Sequence, residues 1–413
     1  MLICKLPEGV RKVSDCYKAL YASEGIGFAN MTALFTYFLF GCTSMSELAR
    51  MHINSPSVSE LSRAIQNFPA SRFIRRHRRS VLRKYQGDLN PEDFVLAVDD
   101  TDNPKYGRKL YGCGTWVAKH SAYFGQKILV IALVDIKRGI AIPLSYAFLF
   151  NKKHPEHENA LSKVVKLLDE LQAGGWPDLP VVADSWFDSA QLRKDCKDRG
   201  ITLVTEIKGN RLGRNGTGRN VKYRRLDETF SSPFGEVYSR PLAKSRQPGR
   251  PSMKFTEIKY LQLKTMKTPL KIMAVFNRRT DRKAFAYYAS TDRNMSGARM
   301  WKIFRARWCI EVLFRDLKQN LSFGKVSCIG IEAADLAVCL PFILITSLRL
   351  DPETWKMPKN KTIGYMITQT KNTSLNAAID ALGRANADLL RQRVVARRDP
   401  RRHGGKPSDQ AAA

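Results

Sequence analysis

The rhythm of apolar runs between Asp93 and Glu206 constrains the fold most. Three strand-like segments come first: Phe94–Val98, Lys127–Val134 and Gly139–Tyr146, with Gly139 placed to turn the second into the third. A helical segment from about Glu156 to Leu171 follows. Then come a strand at Leu179–Ala183, a helix at Ser189–Arg199 and a strand at Ile201–Glu206. A meander of three strands followed by alternating helix and strand predicts an α/β domain, with helices packed on a mixed sheet.

The flanks read differently. Residues 1–90 are helical in pattern. A run from Gly27 to Phe40 stops at Gly41-Cys42-Thr43. Ser44 with Glu47, and Ser57 with Glu60, stand at capping-box spacing on either side of the turn Asn54-Ser55-Pro56. Two short capped helices around a turn have the outline of a helix-turn-helix. Residues 207–290 break the α/β rhythm. Gly- and Arg-rich stretches at Asn210–Asn220 and Pro241–Ser252 alternate with β-like runs at Phe255–Leu263 and Leu270–Phe276, the make-up of a basic, β-rich insertion. Gly249-Arg250-Pro251 in the second stretch reads as a plain loop. A long helix is expected from about Ser296 to Asn320, and an apolar one from Ala333 to Leu348. Residues 351–413 form a basic C-terminal region whose last residues, from His403, have a disordered composition.

Charge narrows the function. Lys and Arg number 69 against 38 Asp and Glu, a net charge of +31. Such an excess attracts polyanions, and double-stranded DNA is the expected partner because neutralised phosphates release counterions. The densest basic stretch is Arg72–Lys84, where Arg75, Arg76, Arg78 and Arg79 are candidate phosphate contacts. A membrane role is not indicated. The apolar run at Phe28–Phe40 is too short to span a bilayer, and no secretory leader is recognised. None of the eight cysteines forms a C-x-x-C pair, which argues against a zinc site and fits a reducing cytoplasm. His154, His157 and Glu158 match no strong metal spacing and read as the lead-in to a helix.

Two of the strands run into acid: Phe94–Val98 into Asp99-Asp100, and Leu179–Ala183 into Asp184. Ligands of open α/β sheets gather at the carboxyl ends of strands. On the long helix, Phe304, Arg307, Glu311, Arg315 and Lys318 fall on one stripe at 100° per residue. Ile303, Ile310, Leu313, Phe314, Leu317 and Leu321 fall on the opposite side, ready to pack on the sheet. Asp99 or Asp100, Asp184 and Glu311 are thus three carboxylates able to converge. Carboxylates and water are the ligands Mg²⁺ prefers, and two such ions activate the attacking oxygen and stabilise the leaving oxygen of a phosphodiester. Successive strand residues face opposite sides, so only one of Asp99 and Asp100 can join the set.

These residues resemble a known family. Phe304, Arg307, Glu311 and Lys318 stand at the spacing of the Tyr-Arg-Glu-Lys signature of DDE transposases from bacterial insertion sequences, in the cut-and-paste branch. Arg307-Trp308-Cys309-Ile310-Glu311 is similar to the stretch around that family's Glu. Val182-Ala183-Asp184-Ser185-Trp186-Phe187 and Val98-Asp99-Asp100-Thr101 resemble its two Asp segments. The resemblance spans about 94–348. It implies an RNase H-like core with a β-rich insertion before the Glu. It also implies two Mg²⁺ ions (replaceable by Mn²⁺) on Asp99, Asp184 and Glu311, with Phe304, Arg307, Arg315 and Lys318 toward DNA. The expected partners are terminal inverted repeats, target DNA and a second copy of the chain, in a bacterial cytoplasm. Phe304 departs from the family's Tyr and lacks its hydroxyl. Trp186 and Trp301, near the motifs, read as core residues. A silent DNA-binding derivative and a stand-alone nuclease are the alternative readings.

Overall fold

A computed structural model describes most of residues 17–350. The omissions are 42–55 (Ser46 apart), 86–88, 118–121, 217–220, 231–234, 238–253 and 326–328, with single positions 19, 106, 108, 267 and 279; beyond 350 only a few residues between 362 and 372 are described. The chain divides into two compact units, Met1–Asn67 with Leu350–Ala413, and Phe68–Arg349.

In the first unit, α1 (Phe28–Phe40) ends at Gly41, whose left-handed φ of 68° lets its N–H reach the Tyr37 carbonyl. Helix α2 (Val58–Gln66) carries the expected capping box. The Ser57 hydroxyl accepts from the Glu60 N–H, and the Glu60 carboxylate accepts from the Ser57 N–H at 2.7 Å. The helix expected after Ser44, and with it the helix-turn-helix reading, lies outside the described residues, as do Gly249-Arg250-Pro251 and the tail from 373.

The second unit opens with α3 (Ala70–Tyr85), which sequence pattern had placed with the N-terminal region. Its apolar face, Phe73, Ile74, Val81 and Tyr85, is buried. The buried His77 Nε2 bonds the Pro143 carbonyl at 2.8 Å, which ties the helix to the sheet.

The meander follows: β1 (Phe94–Pro104), β2 (Cys113–Val117), β3 (Ala122–Asp135) and β4 (Ile140–Leu149). The β3–β4 hairpin turns at Gly139, at φ 67°. Strand β1 does not stop at Val98. It runs through Asp99 and Asp100 to Pro104, because β3 pairs with it all the way to Gly125. Helix α4 (Ala160–Ala173) starts at Asn159, later than expected, since the Asn159 side chain caps Leu161 N–H at 2.9 Å. Then come β5 (Val181–Ala183), α5 (Ala190–Asp198) and β6 (Leu203–Ile207). Strands β1, β5 and β6 are parallel, and β3 runs antiparallel to its neighbours β1 and β4. The order β4-β3-β1-β5-β6 is that of an RNase H-like sheet.

The insertion continues this sheet. It contains β7 (Leu212–Arg214), β8 (Arg224–Arg225), the short α6 (Leu226–Thr229), β9 (Gly235–Val237), β10 (Lys254–Leu263), β11 (Leu270–Phe276) and β12 (Ala286–Ser290). Strand β12 pairs antiparallel with β6, and β11 and β10 follow outward. A buried cluster including Leu226, Phe230, Leu261, Ile272, Phe276 and Tyr287 fills one face.

The single helix expected at 296–320 forms as two, α7 (Gly297–Ala306) and α8 (Trp308–Asn320). The break falls at Arg307, whose N–H turns back to the Phe304 carbonyl while its own carbonyl accepts from Ile310, both three residues away rather than four. Ile303, Ile310, Leu313, Phe314, Leu317 and Leu321 are all buried, as their stripe required. Helix α9 (Ile331–Leu350) is long and apolar enough to cross a membrane, yet most of it is buried inside the protein. Pro341 lies within it and cannot bond the Ala337 carbonyl. Gly324 N–H takes that carbonyl at 3.0 Å. Gly324 holds φ +68°, and a Cβ there would strike the buried Asn103 side chain.

Candidate active site

The register of three parallel strands builds the site. Val98 pairs with Ala183, and Ala183 with Thr205. One residue further along each chain therefore stand Asp99, Asp184 and Glu206, in a row on one face. The face is defined by the alternation of β6. Thr205 turns to the buried Arg193–Asp188 ion pair, at 3.0 Å from Arg193, and Glu206 turns the opposite way. Above the row lies the break between α7 and α8. Arg307 reaches down from it, with Nη1 3.0 Å from Asp99 Oδ2 and Nη2 2.6 Å from Glu311 Oε1. Asp99 and Glu311 are thus held by the two sides of one guanidinium.

Asp99 is deeply placed, its side chain 14% exposed. Burial pushes its pKa up to about 7; Arg307 opposes the shift, while Asp184 and Asp100 add to it. The Asp184 carboxylate accepts the Trp186 N–H at 2.8 Å, which fixes the turn after β5. Glu206 is half-buried, and its pKa is raised by burial, lowered by Arg307 and raised by Asp184.

Asp100 belongs to the other face. It pairs with Lys127 at 2.8 Å, and Lys127 also lies 3.9 Å from Asp102. Burial raises the Asp100 pKa, against the pull of Lys127. Tyr123 donates to Asp102, and Lys127 sits over the Trp116 and Trp186 rings.

The remaining sequence candidates divide. Phe304 stacks on Tyr288 with centroids 4.1 Å apart, and Arg307 lies over its ring at 5.7 Å. Lys318 Nζ donates to the Asp102 carbonyl at 2.5 Å, at the far end of the same helix, while Arg315 is exposed. On α3, Arg75, Arg76 and Arg79 are exposed. Arg78 is a correction: it is buried and paired with Glu170 at 2.7 Å, because it falls on the face that packs inward. Trp186 is a second correction. It is 54% exposed rather than core, whereas Trp301 is buried as expected.

Sequence reasoning did not single out Glu206, which the register places in the row beside Asp184. The signal for Glu206 was present, since the strand at Ile201–Glu206 also runs into acid, yet the residue was read only as the end of a strand.

The donor set consists of hard carboxylate oxygens, which suit a divalent cation. Among the described residues no three His, Cys, Asp or Glu groups lie close enough as they stand to enclose one. The Arg307 guanidinium occupies the position between Asp99 and Glu311, so the residues fit a cation by chemistry once that guanidinium moves.

A family model described as the transposase DDE domain matches residues 91–346. Domains of this kind use divalent metal ions. No curated protein matches the chain. Among solved structures, the chain is similar to a piggyBac transposase, described as a synaptic complex with hairpin DNA. The identity is 12% and the TM-score 0.46, with 92% of this chain and 78% of that one covered. With more than half of its residues inside the family match, the chain belongs to the DDE transposases, enzymes that cleave DNA.

Proposed function

We propose that this chain cuts DNA at the terminal inverted repeats of its own mobile element and joins the freed 3′ ends to target DNA. In this reading Asp99, Asp184 and Glu311 hold two divalent cations, Mg²⁺ or in its place Mn²⁺. The observation that carries the reading is the Arg307 bridge. It ties the carboxylate of a central strand to one 212 positions later in sequence, beside the Asp of the neighbouring strand. The register beside Asp184 supports Asp99 over Asp100 as the first member. Bound cations would activate the attacking oxygen and stabilise the leaving one. The protein's own work is to hold three carboxylates that would otherwise repel, to keep them on rigid elements, and to bring cations of its own to the phosphates. Arg307, Arg315 and Lys318 on the helix side, and Arg75, Arg76 and Arg79 on α3, are the proposed phosphate contacts. Phe304, which lacks a hydroxyl, would meet the DNA through its ring alone. The active form is proposed to be a homodimer on DNA, in the cytoplasm of a bacterium.

The test uses Mg²⁺ and DNA bearing the element's ends, with the wild type beside Asp184→Ala and Glu311→Ala. The wild type should cleave and join, and both variants should fall to background. Binding without cleavage by the wild type would make the chain a silent derivative. Cleavage without joining would make it a nuclease. Cleavage that survives both substitutions would overturn the site.

A further inference from the structure

Two groups beside the bridge are left without a partner, and they are complementary. The Nε–H of Arg307 is buried and makes no hydrogen bond. Glu206 makes neither a hydrogen bond nor an ion pair among the described residues, although it is attracted to Arg307 and repelled by Asp184. The surroundings make the two neighbours. Tyr288 is the cross-strand partner of Glu206, and it stacks on Phe304, the ring that Arg307 overlies. A guanidinium carries five N–H donors on three nitrogens; here Nη1 and Nη2 each meet a carboxylate and the Nε–H meets none. Moving it out of the way of a cation into a site without an anion would leave a desolvated charge unpaired, which is expensive.

We propose that Glu206 is a positioning residue for Arg307. When divalent cations take the carboxylates of Asp99 and Glu311, the guanidinium swings to Glu206 and stays in the cleft. This rests on the cation reading of the previous section and adds a second station for the arginine. The row along β1, β5 and β6 places that station next to Asp184, so a short side-chain rotation replaces a departure into solvent. A cation that competes with Arg307 then binds more tightly, because the displaced group has somewhere to go.

The experiment follows Mn²⁺ binding to the DNA-free protein by the loss of the free-ion electron paramagnetic resonance signal. It compares wild type, Glu206→Gln, Arg307→Ala, the double variant and Asp184→Asn, each checked for folding by circular dichroism. Glu206→Gln is expected to weaken Mn²⁺ binding by about fivefold or more, the lower range of coupling between linked sites. The same substitution in the Arg307→Ala background is expected to change nothing, and Glu206→Asp, which keeps the charge, should stay nearer the wild type. Unchanged affinity in Glu206→Gln would overturn the proposal. Equal weakening in both backgrounds would also overturn it, because Glu206 would then act on the cation directly. If Asp184→Asn leaves Mn²⁺ binding untouched, the cation reading itself fails, and this proposal with it. If Asp184→Asn weakens binding and Glu206→Gln does not, only the positioning role falls.

Discussion

At the scale of single residues, Asp99 and Asp100 differ by one position and by everything around them. Asp99 faces Arg307 and the row of carboxylates; Asp100 faces Lys127. The family resemblance in the sequence favours Asp99, with Asp100 as the alternative; the physical difference between them depends on how β1 registers against β3 and β5, partners far away in the chain. The prediction is asymmetric: Asp99→Asn abolishes cleavage, while Asp100→Asn retains it, as single-turnover assays with Mg²⁺ would show. Equal loss would mean that the wrong carboxylate has been chosen.

Protonation adds a second prediction. With a pKa of about 7 in the folded protein against an ordinary 3.8, Asp99 keeps its proton longer when folded than when unfolded. Without cation its contribution to stability therefore declines as pH rises from about 4 to about 7, and is level above that. A cation needs the ionised form, so Mg²⁺ should raise the melting temperature more at pH 8 than at pH 6. A shift of the same size at both values would count against Asp99 as a ligand.

At the scale of elements, the core strands and the apolar stripe of the last helices were legible because each rests on a local period. What escaped was set by partners. Strand β1 continues past its apolar run because β3 supplies a ladder as far as Gly125, and Asn103 is secured by Gln126 and the Gly324 carbonyl. The break at Arg307 interrupts a sequence with no Gly or Pro to announce it. Helix α3 shows the same division. Its basic composition was plain, but only its packing separates the inward Arg78 from the outward Arg75, Arg76 and Arg79. His77, on the inward face, has its pKa lowered to about 4 by burial, against the hydrogen bond to Pro143. An imidazole neutral when folded but charged when unfolded stabilises fully above pH 6.5, and that stability is lost as pH falls toward 4. His77→Gln, which keeps a donor for the Pro143 carbonyl, should flatten that acid limb in urea titrations at pH 7 and pH 4.5. A limb as steep as the wild type's would show that other groups carry it.

At the scale of the whole molecule, the +31 charge and the exposed arginines of α3 set a collective expectation. Replacing Arg75 and Arg79 together by Ala should weaken binding to all DNA sequences alike. It should also lower the slope of log affinity against log salt by about two, one for each lost phosphate contact. An unchanged slope would move the DNA track elsewhere. Arg78→Ala should instead cost stability, because it opens a packed face; Glu170 is half exposed and stays hydrated without its partner.

The insertion is where reading by composition was least informative. Its β-rich character was visible, but its attachment was not. Strand β12 hydrogen-bonds β6 from Ser290 to Tyr287, so the inserted strands extend the central sheet rather than hang from it. That attachment decides what happens when the chain is trimmed. Cutting out 208–291 would strip β6 of its neighbour and leave a row of open backbone donors and acceptors beside Glu206, a ready template for another chain. A shortened protein should then form aggregates whose growth begins at β6, and lysines placed along that strand should restore its solubility.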